Sequence, residues 1–447
     1  MNKRLWWQAG MAIFLGLGLA QMAAGQAKPF PSGDVHKTYD RLLKEIDKMP
    51  MYDNHAHPGY PDDPDVDAMA SPPDESPTLR LREDNPEFVA GAKALFGYPY
   101  DDFQPEHAKW LSDKKAAAEK GGGTAYFDEL LDKLNVDICL ANRAMMPAYL
   151  DTKRFHWVFF MDSFFFPFDN QDQIAISPDM GVYIPIQEKM LSRYKKQEGV
   201  QGLPADLGGY VSFLEKTMED NQKRGGVAIK FEAAYFRSLY FSDPSREVAE
   251  AVYNKYRAGG VPPREEYRVF QDYVFRRIAD EAGKLHLPVH FHSAVGIGNY
   301  FSLRNGNVLN LENVLRDARY KNINFVLLHG GWPYEREASL LTAVTNVYLD
   351  TSFQSEMLYP SQFKNVLKQM LTLYPDKMMY GSDAFPFNAA LGAEESMWLA
   401  ARTTRTALAA ALAELVDEGA ISDARALELA RNYLHDNAAR LYGDKKP

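Results

Sequence analysis

The stretch Met51-Tyr52-Asp53-Asn54-His55-Ala56-His57-Pro58 is the part of the sequence that decides the fold. In an extended strand alternate side chains share a face, so His55 and His57 point the same way and Ala56 points outward. Pro58-Gly59 then ends the strand. Two neighbouring imidazoles at a strand end form half of a metal site, and they predict that later strands deliver the remaining ligands.

Short apolar runs alternate with helical patterns along the rest of the chain, which is typical of β-α units and a parallel sheet. With the first strand there are about eight candidate strands, the number that closes a (β/α)8 TIM barrel. An open doubly wound sheet is the alternative, but no glycine-rich phosphate motif follows any strand. The candidate strands after the first are residues 136–142, 156–164, 227–231, 288–292, 325–329, 347–351 and 378–382.

The composition of the chain is that of an ordinary globular protein. Its 447 residues are 46% hydrophobic and 25% charged, which is enough apolar material to bury a large core. The formal net charge is −10 at pH 7, so nucleic acid is not expected as a partner and no polybasic membrane patch is evident. The expected partner is a small-molecule substrate, and the sequence leaves homo-oligomerisation open.

The first residues predict an export signal. Lys3-Arg4 gives a positive start, residues 11–20 form an apolar stretch and residues 23–25 are a small-residue cleavage region, so we predict a signal peptide over residues 1–27. The apolar stretch is short for a spanning helix, so we expect no stable membrane association after cleavage. The single cysteine, Cys139, lies in an apolar run and predicts a buried thiol. These features predict a periplasmic or secreted protein.

One insertion and one tail stand out beside the predicted strands. Residues 61–123 begin with a stretch rich in Pro, Asp and Ser and continue with two helical patterns. We interpret this segment as a long insertion at the mouth of the site, either a lid or a solvated surface excursion. Residues 394–442 show a helical pattern with apolar faces that we expect to pack on the barrel exterior. The sequence therefore predicts a single domain over residues 28–447.

Several predicted strands end in a metal ligand, and in a barrel the chemistry gathers at those ends. His290 and His292 share a face of the fifth strand, and His292 is the favoured ligand because it is nearer the mouth. His329 ends the sixth strand, where it can bind a second metal or polarise and protonate the substrate. Asp383 ends the eighth strand, where it can bind metal and take a proton from metal-bound water. The structural alternatives are hydrogen-bonded core histidines and, for Asp383, a helix N-cap.

Lys230 follows an apolar run in the fourth strand, where a buried amine is costly unless it is paired or modified. Three interpretations stay open. The amine can be carboxylated to bridge two metals, it can remain a cation that holds an anionic substrate, or it can pair with Glu232 or Asp162.

Arg143, Arg237 and Tyr235 lie after or near predicted strand ends and are candidates for holding a carboxylate of the substrate. Structural ion pairs are the alternative for both arginines. Histidine and aspartate ligands suit a divalent metal, most readily zinc, with manganese and iron as alternatives. The sequence leaves open whether one or two ions are bound.

These motifs together resemble the amidohydrolase superfamily, in the amidohydrolase-related (amidohydrolase 2) branch. The resemblance is carried by His55-Ala56-His57, His292, His329-Gly330-Gly331 and Gly381-Ser382-Asp383. Further motifs are similar to the amidohydrolase domain found fused to glutamine-synthetase-like domains. They are Ala228-Ile229-Lys230, the run from Leu327 to Tyr334, Val347-Tyr348-Leu349-Asp350 and the run from Asp436 to Tyr442.

The resemblance implies a metal-dependent barrel enzyme with His55, His57, His292 and Asp383 as ligands. It implies that His329 is a catalytic or second-metal residue, and that Lys230 is carboxylated in members with two metals. The leading hypothesis is a hydrolase whose metal-activated water attacks an amide or other C–N carbonyl of a small, carboxylated substrate. A metal-dependent, non-oxidative decarboxylase is the second hypothesis, and a non-catalytic metal- or ligand-binding barrel is the third.

Overall fold

A computed structural model describes residues 34–72, 77–293, 295–387 and 391–443 of the chain. The predicted signal peptide, residues 1–27, lies outside the described residues. Within the described ranges no helix combines the length and the apolar character that crossing a membrane requires.

Eight parallel strands form the centre of the described part of the chain, and each pairs with the next in sequence order. The backbone N–H of Asn54 donates to the carbonyl of Tyr380 at 3.0 Å, and that of His57 donates to Ala384 at 2.8 Å, so the last strand segment returns to the first. The predicted (β/α)8 barrel is therefore confirmed. The strands are β1 Met51–Ala56, β2 Val136–Asn142, β3 Phe155–Phe160, β4 Gly226–Phe231, β5 Val289–His292, β6 Phe325–Leu328, β7 Val347–Asp350 and β8 Met378–Met379.

Helices separate the strands and cover the outside of the barrel. Before β4 they are α1 Val35–Ile46, α2 Pro86–Phe96, α3 Pro105–Gly122, α4 Ala125–Leu134, α5 Gln171–Ile174, α6 Met180–Glu198 and α7 Leu207–Lys223. Between β4 and β8 they are α8 Ala233–Phe236, α9 Arg246–Tyr256, α10 Arg264–Leu285, α11 Glu312–Leu315, α12 Glu335–Leu341, α13 Gln354–Met357 and α14 Pro360–Leu371. After β8 follow α15 Ala393–Asp417, α16 Asp423–Arg431, a π-helical turn Asn432–Asp436 and α17 Asn437–Tyr442.

Two predicted strands end several residues earlier in the structure than in the sequence pattern. β3 ends at Phe160, because a 3₁₀ turn over Asp162–Phe165 replaces the end of the predicted run. β8 stops at Met379, because the backbone N–H of Tyr380 donates to the carbonyl of Tyr433 in the π-helical turn. In both cases tertiary contacts override the local apolar pattern.

Side chains alternate between the barrel interior and the layer under the helices. Leu140 packs in the interior cluster, whereas Cys139 faces the helices and is fully buried, as the sequence predicts for this thiol. In β5 the same alternation sends Val289 and Phe291 outward and leaves His290 and His292 on the inner face. The barrel therefore delivers histidines inward without interrupting its outer apolar layer.

The C-terminal tail divides between two locations. α15 packs on the barrel exterior against α1 and α14, as expected. In contrast, Ala438 and Ala439 of α17 join the interior cluster, and the Tyr442 hydroxyl contacts His290 Nε2 at 2.7 Å. α17 thus closes the bottom of the barrel, so the expectation that the whole tail packs outside is wrong for this helix.

The predicted insertion, residues 61–123, is fastened to the barrel by buried charges. Arg80 is 1% exposed and donates to the carbonyl of Ser355, while Lys115 is 4% exposed and pairs with Glu395 at 2.5 Å. A purely solvated excursion is therefore wrong for this segment, because both cations would be costly to bury without those partners.

Candidate metal centre at the barrel mouth

The ends of five strands deliver polar side chains into one cavity at the mouth of the barrel. The predicted residues that line it are His55, His57, Lys230, Tyr235, His292, His329 and Asp383. The cavity holds about 70 Å³ of space for the centres of water-sized groups, and about 580 Å³ of space around them, including the opening to solvent, is free of protein atoms. The sequence prediction that these strand ends converge is thus met by the geometry.

An irregularity in β1 sets the orientation of its two histidines. The pairing register of β1 with β2 shifts between Asp53 and Ala56, so regular alternation is interrupted there. Asn54 bonds to groups of the barrel interior, and His55, the next residue, also faces inward. The rings of His55 and His57 then lie 5.0 Å apart by centroid, on the same side as predicted.

Asp383 is the side chain around which the imidazoles gather. Its Oδ1 lies 2.9 Å from His55 Nε2 and 3.5 Å from His57 Nε2, and its Oδ2 lies 3.7 Å from His329 Nδ1. Ligand atoms of His55, His329 and Asp383 all fall within 4.8 Å of one another. The helix N-cap alternative does not apply, because α15 begins only at Ala393.

The backbone at two of these residues is held in the left-handed region. His329 has φ 62° and Asp383 has φ 64°, values that cost energy for residues with a Cβ and tend to occur at functional sites. Asp383 is fixed there by its N–H, which donates to the carbonyl of His55 at 2.7 Å. After His329 the chain needs glycine, because a Cβ at Gly330 would lie 2.0 Å from Gln354 Nε2.

A chain of hydrogen bonds orients His329. Asp350 Oδ1 accepts from the Ser352 hydroxyl at 2.6 Å, and the Ser352 Oγ lies 3.0 Å from His329 Nδ1. With that hydroxyl donating to Asp350, the shared contact assigns the proton of the imidazole to Nδ1. The buried Nε2, which has no hydrogen-bond partner, then carries a lone pair available to a metal or a proton.

Burial keeps His55, His292 and His329 neutral. It lowers the pKa of His55 and His329 well below the usual value, and it lowers the pKa of His292 to about 3. Nearby Lys230 adds to the effect at His55 and His292. Neutral imidazole is the form that binds metal, so the site is poised for ligation.

The available donor atoms fit a divalent metal. His292 Nε2 and His329 Nε2 are buried without hydrogen-bond partners, and the Nε2 atoms of His55 and His57 face the Asp383 carboxylate. Histidine nitrogen with aspartate oxygen is the donor set of zinc, manganese and non-haem iron sites. These residues could therefore hold the metal that the sequence predicts.

Lys230 and His290 occupy the positions that the strand pattern implies. Lys230 is 1% exposed, and its Nζ lies 3.2 Å from His55 Nε2. His290 lies one layer below the cavity, where the Tyr442 hydroxyl meets its Nε2. No described contact joins the Lys230 amine to Glu232 or Asp162 by a hydrogen bond, so its nearest polar partner is a candidate metal ligand.

The two predicted substrate-binding arginines lie elsewhere. Arg237 pairs with Asp272 at 2.5 Å and is 5% exposed, while Arg143 pairs with Asp63 and donates to the carbonyl of Pro58. Neither arginine lines the cavity. The expectation that they bind substrate is therefore corrected to a structural role, because their donors are already used by buried acceptors. Tyr235 does line the cavity, with its ring 4.6 Å from that of His292.

Three acids that the sequence analysis did not assign also line the cavity. Asp67, from the insertion, has its Oδ1 3.5 Å from His57 Nδ1. Glu232 follows β4 and Glu356 lies in α13, after β7. The strand-end rule was a usable signal for Glu232, but it was considered only as a partner for Lys230. No sequence feature marked Asp67 as a site residue, since nothing in the Pro- and Asp-rich run distinguishes one carboxylate from another.

Comparison with known proteins finds matches to the family that the motifs resemble, over part of the chain. Residues 253–443 match the family model for amidohydrolase. The FluG protein of Emericella nidulans is 30% identical over 187 residues, which cover 40% of this chain and 21% of that protein. The chain therefore spans only about a fifth of the length of this relative. The resemblance to amidohydrolases is confirmed by these matches.

Solved structures share the fold at low sequence identity. A protein of Lactobacillus casei described as a metal-dependent hydrolase is 17% identical with a TM-score of 0.57, over 90% of this chain and 97% of that one. A glucuronate isomerase of Caulobacter crescentus is 14% identical with a TM-score of 0.63, over 94% and 96%. A uronate isomerase of Thermotoga maritima is 12% identical with a TM-score of 0.58, over 92% and 99%. At these identities the likeness concerns the fold alone.

Proposed function

We propose that this chain, which matches the amidohydrolase family over residues 253–443, is a metal-dependent hydrolase. Its substrate is a small molecule with an amide or another C–N carbonyl. The observation that carries the proposal is the convergence of His55, His329 and Asp383 within 4.8 Å in a buried cavity at the carboxyl ends of the strands.

In this proposal His55, His57, His292 and Asp383 hold one ion, most readily zinc. His329 Nε2 and a carboxylated Lys230 hold a second ion where two are bound. When bound, a divalent cation supplies the Lewis acidity that polarises a carbonyl and activates water. The donor atoms and burial described above support this assignment, and so does the match of the C-terminal part of the chain to amidohydrolases.

The side chains of the cavity have separate tasks. Asp383 accepts the proton of the attacking water on a carboxylate oxygen and returns it to the leaving nitrogen. The hydrogen-bond chain from Asp350 through Ser352 keeps the imidazole proton of His329 on Nδ1 and the lone pair on Nε2. Phe353 and Phe385 line the cavity and restrict access of bulk water, which strengthens electrostatic interactions inside it.

Decarboxylation is the second candidate, and Lys230 is the observation that favours it. If its amine is unmodified, it is a buried cation in the cavity and can hold a substrate carboxylate beside the metal. The arginines that were expected to hold such a carboxylate lie elsewhere, so hydrolysis ranks first. Export of the chain, homo-oligomerisation and a non-catalytic role remain predictions.

The test is the metal-to-protein ratio of the protein purified without chelators or a histidine tag. A ratio near two supports the pair bridged by carboxylated Lys230, and a ratio near one leaves Lys230 as an amine. A ratio near zero after metal is resupplied contradicts the proposal. Incorporation of ¹⁸O from labelled water into the product then identifies hydrolysis, whereas release of CO₂ identifies decarboxylation.

A matched variant pair sharpens this test. His55→Asn removes a central ligand, whereas His286→Asn makes the same change at an exposed helix end with φ 56°, a conformation that asparagine adopts readily. We expect His55→Asn to lose its metal and His286→Asn to keep it. Equal metal content in the two variants would show that the metal binds at a site that does not include His55.

A further inference from the structure

The charge balance of the cavity indicates the kind of substrate it takes. Among the described residues that line it, the ionisable groups besides histidine and tyrosine are one amine, Lys230, and four carboxyl groups. Those carboxyl groups belong to Asp67, Glu232, Glu356 and Asp383. Histidines that bind a metal do so as neutral imidazoles, so they add no charge to this count.

A bound metal reduces this excess of negative charge without removing it. Counted as fully ionised, the four carboxyl groups exceed the positive charges of one divalent ion and a free Lys230 amine by one. With two divalent ions and a carboxylated Lys230, the anionic groups again exceed the positive charges by one. In both metal states one more positive charge, carried by the substrate, would therefore balance the cavity. A substrate carboxylate would instead increase the excess of negative charge.

Glu232 is the carboxyl group best placed to receive that charge. It is 3% exposed, and its Oε2 is buried without a hydrogen-bond partner. Its position is fixed, because its backbone N–H donates to Asp162 Oδ2 at 2.8 Å.

The other walls of the cavity suit an organic cation better than a bare ion. The rings of Tyr235, Phe353, Phe385 and Phe387 line it. Aromatic faces attract ammonium groups and also pack against the carbon skeleton that carries them. An unpartnered carboxylate beside aromatic rings is therefore a recognition site for an amine.

We infer that the substrate carries a positively charged amino group on its non-reacting part, and that Glu232 binds this group. The inference rests on the proposed hydrolase function, and it replaces the carboxylated substrate expected from the sequence. Glu356 is the internal comparison, because its Oε1 already accepts from the Ser396 hydroxyl, although its Oε2 is buried without a partner.

The first test measures binding and does not depend on turnover. Benzylammonium and its neutral isostere benzyl alcohol are titrated calorimetrically into the metal-loaded protein. We expect benzylammonium to bind roughly ten-fold tighter or more, as is usual for a charge-assisted hydrogen bond. Glu232→Gln should abolish that preference with unchanged metal content and circular dichroism, and Glu356→Gln should reduce it less.

Equal binding of the two probes, or a preference that survives in Glu232→Gln, would overturn the inference. A preference lost only in Glu356→Gln would overturn the role of Glu232. The second test compares hydrolysis of benzamides with a para aminomethyl, hydroxymethyl or carboxylate group. Faster hydrolysis of the carboxylate compound overturns the inference but keeps the hydrolase. Glu232-dependent binding of benzylammonium without hydrolysis of any amide keeps the amine site and contradicts the hydrolase.

Discussion

Two buried polar regions of this molecule differ in how their charges are satisfied. In the first, here called the anchoring cluster, Lys115 of α3 pairs with Glu394 and Glu395 of α15, and Tyr126 donates to Glu394 Oε1 at 2.5 Å. In the second, the barrel mouth, His55, His292 and His329 each leave a buried ring nitrogen without a partner. Both regions are almost inaccessible to water, so burial alone does not distinguish them.

The difference indicates what each region is for. A buried charge with partners ties two segments together, and here it holds the insertion against the C-terminal helix. A buried polar atom without partners costs stability unless a ligand completes it. The anchoring cluster should therefore affect stability and not chemistry, and the barrel mouth should affect chemistry and not stability.

The largest effect is expected for Asp383→Asn at the barrel mouth. The change removes the carboxylate that faces His55, His57 and His329, so both metal binding and proton transfer lose their anionic partner. We expect activity to fall by at least about 10³-fold. Thermal unfolding of the metal-free protein should change by only a few degrees. A large loss of stability with activity retained would remove the contrast between the two regions.

Lys115→Met is the converse experiment in the anchoring cluster. It leaves Glu395 and Glu394 buried without their cation, so the free energy of unfolding should fall by about 3 kcal/mol or more. Activity per folded molecule should stay unchanged. Lys255→Met is the control, because Lys255 pairs with Glu266 at the surface, where solvent screens the pair, so its loss should hardly change stability. Urea unfolding measures both variants, and equal losses would contradict the assignment.

A third prediction concerns pH and the layer below the mouth. Burial lowers the pKa of His290 to about 3, so the unfolded chain binds a proton at this residue near pH 6.5 and the folded chain does not. The stability that depends on neutral His290 is therefore complete above pH 6.5 and is lost as the pH falls toward 3. At pH 5 the loss should be about 2 kcal/mol.

The variant His290→Gln isolates this effect. Its free energy of unfolding should fall less between pH 7 and pH 5 than that of the parent chain, measured for both in chelator. The other histidines contribute equally to the two proteins and cancel. Parallel pH profiles would show that His290 is protonated in the folded state.

The smallest effect is expected for Asp67→Asn. Asp67 Oδ1 lies 3.5 Å from His57 Nδ1, on the side of the ring away from Asp383, so it orients the ring and does not bind the metal itself. Such partners typically change metal affinity by about ten-fold or more. Competition with a chelator measures this affinity. Complete loss of metal would show that Asp67 is a direct ligand. An unchanged metal affinity would show that Asp67, like the anchoring cluster, has only a structural role.

The strand pattern predicted the barrel well because buried parallel strands have a strong apolar signature. β2 matched the predicted range 136–142, and the other predicted strands matched within a few residues. The errors fell where tertiary contacts take over. The π-helical turn ends β8 early, and α17 enters the barrel bottom although its sequence looks like that of an exterior helix.

Candidate ligands could be predicted where both lie on the same strand, because their spacing alone places them on one face. His55 and His57 are two residues apart, and period-two geometry places them together. Arg143 and Arg237 show the opposite case, because an arginine near a strand end looks the same whether its partner is a substrate or Asp272. Asp67 lies in a segment without regular structure, so its distance from His57 could not be read from spacing.

The sequence by itself determined the barrel, its inward histidines and the acid that ends the last strand, because periodicity and strand ends are local properties of the chain. Only the tertiary structure decided which charges are paired. It assigned Lys115 and Arg237 to the framework and left Glu232 Oε2 and ring nitrogens of His55, His292 and His329 without partners. The physical reason is that pairing depends on distances between residues far apart in the chain, which no local pattern encodes.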